Sequence, residues 1–210
     1  FKITIVVIVG ILISFSLQGY GLYSIIFSTL FQILNYWFIF RFLKDVKVKK
    51  TEGLSSFSLN FIKTGLYLGL LSTLLPFGIG ILSAKGLGKT EMYQSLVYTF
   101  LHLQYNGWFL FLALGLFYKY LEIQNVSFSH KFAKIFYWLF TIAIVPASAL
   151  SLLGMEFSKY IEPIAYLSAV LQGIGLIYFL FSLKGNLVDL LKQKSSWFNL
   201  FFIAFLLSFV

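Results

Sequence analysis

The charged residues of this chain are gathered into short clusters that separate continuous apolar runs, most of them long enough to cross a bilayer. A helix needs about 20 residues for that crossing. The runs fall at roughly residues 3–18, 21–42, 58–84, 92–120, 134–154, 161–183 and 197–210. Their hydrophobicity is unbroken where a membrane strand would alternate, so a β-barrel is a poor reading. Only 11% of the residues are charged, against about a quarter in soluble domains. The expectation is an all-α, polytopic transmembrane helical bundle of about six to seven helices, with residues 1–210 forming one domain. The first and last runs are short, and the chain opens on Phe1 and stops at Val210 inside an apolar run, as a fragment of a longer protein would.

Short connections with helix breakers separate the runs: Gln18-Gly19-Tyr20-Gly21, Lys50-Thr-Glu-Gly53, Lys85-Gly-Leu-Gly88, Gly154-Met-Glu-Phe-Ser and Lys184-Gly-Asn. The first of these either divides residues 3–42 into two helices or kinks a single one. With the N-terminus cytoplasmic and that break real, the inner connections hold Arg41, Lys44, Lys47, Lys49 and Lys50, then Lys119, Lys131 and Lys134, then Lys184, Lys192 and Lys194. The opposite connections hold only Lys85, Lys89 and Lys159. The positive-inside rule reads this asymmetry as an orientation, here in a bacterial inner membrane. It also accounts for a net charge of +9 without nucleic acid. On the inner face the sequon Asn125-Val-Ser127 is silent, and His130 beside Lys131 is an exposed loop residue.

There are no cysteines, which removes thiolate metal sites, C-x-x-C-H haem attachment and disulfides. Two histidines and seven carboxylates leave little for a self-contained multi-ligand metal centre. All seven acids (Asp45, Glu52, Glu91, Glu122, Glu156, Glu162, Asp189) fall at or near the ends of runs, which counts against an ion-coupled transporter with a buried carboxylate.

Within the runs, Gly65 and Gly69 form a G-x-x-x-G pair suited to close helix packing. Pro76, with Gly78 and Gly80, and Pro146 are placed to bend the third and fifth runs. Ser28, Gln32 and Asn35 lie at helical spacing on the second run and suit hydrogen bonding between helices.

The fourth run carries the strongest functional signal. Ser95, Thr99, His102 and Asn106 fall at three- and four-residue steps on one helical stripe, flanked by Tyr98 and Tyr105. His102 lies about 15 Å along that helix from Met92, at ~1.5 Å per residue, which is mid-membrane. An imidazole at that depth needs a partner. Two readings stay open: a ring hydrogen-bonded between helices with Asn106 and Tyr98 as local partners, or a haem or metal ligand.

From about Thr90 to Lys184 the chain resembles the last three core helices of subunit I of the haem–copper oxidases, the superfamily that includes nitric oxide reductases. The carrying residues are Tyr98-Thr-Phe-Leu-His102-Leu-Gln104-Tyr105 with Gly115-Leu-Phe-Tyr118, similar to that family's H-x-H-Y helix. His130-Lys-Phe-Ala-Lys-Ile-Phe-Tyr-Trp138-Leu-Phe, Pro146 and Leu152-Leu-Gly154-Met155 follow in the family's order, then Ser168, Gln172 and Gly173. The resemblance implies His102 as ligand of the high-spin haem iron, with Tyr98, Tyr105 and Asn106 around the cofactor. It also exposes departures. Gln104 stands where the family's low-spin haem ligand is a histidine, and no histidine occurs in the first two runs to hold copper.

Two functions follow as expectations. One is a divergent, oxidoreductase-like membrane protein holding one haem through His102 and binding a diatomic gas, with the copper centre and low-spin ligand missing. The other is a cofactor-free scaffold, assembly factor or transporter-like protein. Both have the lipid bilayer as partner, with other membrane subunits or an N-terminal half as further partners. A conventional transporter ranks last, because Pro76-Phe-Gly-Ile-Gly80 is the only broken-helix candidate visible in the sequence.

Overall fold

A computed structural model describes residues 2–19, 21–48, 56–156 and 158–184. The seventh run, 197–210, and the Lys50–Gly53 connection lie outside the described residues. Every described element is helical, and the protein is an all-α, polytopic bundle of the membrane kind. Four stretches are long and apolar enough to cross: Leu22–Lys47, Phe57–Ala84, Glu91–Ile123 and Ser158–Leu183. A fifth crossing forms if His130–Ile144 and Pro146–Leu152, bent by 49°, act as one span.

Contacts divide the chain into two compact units, residues 1–54 and 55–210. The first holds α1 (Lys2–Gln18) and α2 (Leu22–Val48). These are two helices, not one kinked rod. Gly19 adopts φ +59, a left-handed conformation that favours glycine, and thereby ends α1.

The second unit begins with α3 (Ser56–Ser72) and α4 (Leu75–Ala84). It continues with α5 (Glu91–His102), a π-helical segment (Leu103–Phe109) and α6 (Leu110–Ile123), which together form one long span. Then come α7 (His130–Ile144), a 3₁₀ segment (Pro146–Leu152) and α8 (Ser158–Leu183). The α3–α4 span packs along the α5–α6 span, and α7 packs along α8.

Glycine decides how close the first pair comes. A Cβ on Gly65 would meet Phe111 Cβ at 3.1 Å and the backbone of Leu112 and Trp108 at 3.2 Å. One on Gly115 would lie 2.6 Å from Ile62 Cγ1 and 3.1 Å from Ser58 O. Small residues on both helices thus let the backbones touch, the usual device where lipid supplies no hydrophobic drive.

Packing is uneven along the bundle. At the end formed by α3, α6, α7 and the last turns of α8, Phe57, Phe61, Phe111, Tyr118, Phe136 and Phe179 are all buried in one aromatic core. Phe61 and Tyr118 stack at 5.4 Å, and Phe57 meets Tyr118 edge-on at 5.0 Å, geometries that suit ring quadrupoles. His130 is exposed at this end, with its ring edge on Phe57. At the other end, α4 and α5 bury none of their residues fully.

Candidate functional site

Three spans depart from regular α-helix, two of them continuing as single spans and one bent by 49°. Pro76 has no N–H to donate back to Ser72, and the α3–α4 span breaks at Thr73–Leu74. The α5–α6 span widens into its π-helical segment at Leu103–Phe109. The α7 helix stops at Ile144, two residues before Pro146. Interrupted helices strand backbone carbonyls, and a membrane interior supplies no water to satisfy them.

The stretch His102–Gln104 bridges these interruptions. The His102 Nε2–H donates to Ile144 O at 2.9 Å. That carbonyl is available because Ser148 N–H, its partner in a continued α-helix, closes a tighter turn on Val145 O at 3.1 Å. On the other edge of the ring, Asn106 Nδ2 donates to His102 Nδ1 at 3.1 Å. The amide therefore holds the tautomer that carries its proton on Nε2. Two residues further on, Gln104 Oε1 lies 2.6 Å from Ser72 Oγ, which is itself 2.7 Å from Gly69 O. One hydroxyl proton serves both acceptors.

Trp108 packs its indole on Gly69, where an added Cβ would lie 2.9 Å from Trp108 Cδ1. Its buried Nε1–H finds no acceptor among the described residues. At the far end of α5, Thr90 caps the helix by accepting from Tyr93 N–H at 3.3 Å. The next residue, Glu91, accepts from the Glu156 N–H at 3.0 and 3.2 Å.

Of the residues the sequence singled out, His102 and Asn106 are brought together in one contact. Tyr98 and Tyr105 are not part of it. They are 44% and 59% exposed, make no hydrogen bond to the imidazole, and Tyr105 stacks on Phe109. Sequence reasoning missed Ser72, the Ile144 carbonyl and the role of Gln104. A partial signal was present: Pro146 withholds a donor from the carbonyl four residues back and marks the turn in which backbone groups change partners.

An axial histidine needs one free ring nitrogen, and in this arrangement both nitrogens of His102 are engaged by protein groups. Gln104 is turned to Ser72. No cluster of three or more His, Cys, Asp or Glu is gathered among the described residues.

Comparison of the chain with protein-family models, with curated proteins and with solved structures returns no match.

Proposed function

We propose that this is a cofactor-free, transporter-like membrane protein in which His102 is a structural cross-link between interrupted helices and not an iron ligand. One observation carries the reading: the imidazole spends one nitrogen on the carbonyl released at the end of α7 and the other on Asn106. Discontinuous helices meeting at mid-depth are how solute carriers place polar groups inside a membrane. Here the meeting point offers uncharged groups, namely Ser72, Gln104, Asn106 and the Trp108 indole. That chemistry suits a neutral hydrogen-bonding solute better than an ion. The ranking drawn from sequence rested on Pro76 alone, whereas the span of His130–Ile144 and Pro146–Leu152 is bent by 49°, and two continuous spans carry local irregularities at Thr73–Leu74 and Leu103–Phe109.

In this proposal the lysine-rich end that holds Lys119, Lys131, Lys134 and Lys184 is cytoplasmic, in a bacterial inner membrane. A second reading keeps the resemblance to the haem–copper oxidases and one haem. It is favoured by the exposure of Asn106, the one amide that covers His102 Nδ1.

An absorption spectrum of the purified protein, oxidised and reduced, separates the two. A well-folded preparation with no Soret band supports the cofactor-free reading. A Soret band that disappears in His102→Ala overturns it in favour of haem.

A further inference from the structure

We infer that the α4–α5 hairpin, residues 75–102, is a hinged flap that swings against the 3₁₀ segment and α8 while the aromatic end of the bundle stays fixed. Both of its legs enter through an interruption, Thr73–Leu74 on one side and the π-helical segment on the other. Such breaks absorb backbone rotation that a continuous helix resists. Neither helix of the hairpin has a fully buried residue, so little packing opposes the movement. By contrast α6 alone buries Phe111, Leu114, Tyr118 and Leu121.

The hairpin is also internally consistent as a moving body. Gly78 and Leu96 bring α4 and α5 together, where a Cβ on Gly78 would lie 3.1 Å from Leu96 Cδ1. Besides the packing of α5 on the 3₁₀ segment, two polar ties among the described residues hold it: His102 to Ile144 O, and the Glu91 carboxylate to the Glu156 N–H at the far end. It faces the 3₁₀ segment, which buries Ala147 and Ala149 against its surroundings, and α8, a single helix with Pro163 in its second turn. A flap with a dense anchor, two hinges and two polar latches has two natural positions, latched and released.

The absence of cysteine makes the test direct. Spin labels on Lys89→Cys and Lys159→Cys report the flap against α8, and labels on Asn125→Cys and Lys184→Cys report the anchored end; all four positions are exposed. Distances are measured by pulsed electron resonance on the full chain in lipid nanodiscs. The expected result is two populations for the flap pair and one for the anchored pair. Removing a latch with Glu91→Ala or His102→Gln raises the released-to-latched ratio about threefold, as loss of an average hydrogen bond between membrane helices does. Glu91→Ala serves where His102→Gln does not fold. A single narrow flap distance, unchanged in the latch variants, overturns the proposal. So does equal broadening of both pairs, which means loosening of the whole bundle.

Discussion

His102 and Ile144, 42 residues apart, are joined by a 2.9 Å hydrogen bond from an imidazole to the last carbonyl of a broken helix. The bond caps in trans what a helix normally caps in its own chain. Replacing His102 by Ala both removes a donor and strands the carbonyl, a cost of about 1–3 kcal/mol. Asn106→Ala only loosens the ring and costs about 0.5–1 kcal/mol, as loss of one ordinary hydrogen bond does. Reversible unfolding in mixed micelles measures both. Equal costs count against the capping role.

Pro146→Ala supplies the complementary test. With an N–H restored and the ring clash gone, α7 can continue and Ser148 N–H can reach Ile144 O. His102→Ala then costs less than about 1 kcal/mol in that background. An identical His102→Ala penalty with and without the proline contradicts the account of why the histidine is there.

Tyr118 and Ser182 predict an asymmetry. The Tyr118 hydroxyl lies 3.1 Å from Ser182 Oγ, and Ser182 already donates to Phe179 O at 2.7 Å. Tyr118→Phe leaves Ser182 satisfied and costs about 0.5–1 kcal/mol. Ser182→Ala leaves a buried phenol without an acceptor and costs about 1–3 kcal/mol. The same unfolding measurement ranks them, and the reverse order contradicts the donor assignment.

Two glycines at comparable places in the sequence pattern behave differently. A Cβ on Gly115 would meet Ile62 and the Ser58 carbonyl, whereas one on Gly80 would meet nothing within 4 Å. Gly115→Val forces α3 and α6 apart at a cost of about 1–3 kcal/mol or more. Gly80→Ala gains up to about 1 kcal/mol of helix propensity. Thermal melts in detergent report the opposite signs.

Orientation is checked by labelling single cysteines in intact cells. Lys131→Cys reacts with a membrane-impermeant maleimide only after permeabilisation, and Lys89→Cys reacts before it. The opposite pattern inverts the proposed topology.

The helices and their membrane character were legible in the sequence because both follow from local chemistry. Apolar runs of spanning length, Gly19 and Pro146 mark elements and breaks wherever the rest of the chain lies. The close packing at Gly65 was legible for the same reason, since a missing side chain is a local fact with one common use in lipid. His102 was visible as a polar group that needed a partner, and Asn106, four residues on, was within reach along one helix.

The identity of its other partner was not legible, and neither was the pairing of Gln104 with Ser72. A backbone carbonyl leaves no trace in the residue type that carries it, and hydrogen bonds between helices depend on which spans become neighbours. Sequence by itself determined that this chain is a stack of apolar helices broken by prolines and glycines, with one imidazole at depth. Only the tertiary structure decided that the irregular stretches are linked to one another, His102 to the Ile144 carbonyl and Gln104 to Ser72. The physical reason is that composition and spacing act within a helix, while the satisfaction of a stranded polar group is settled by whatever helix packs beside it.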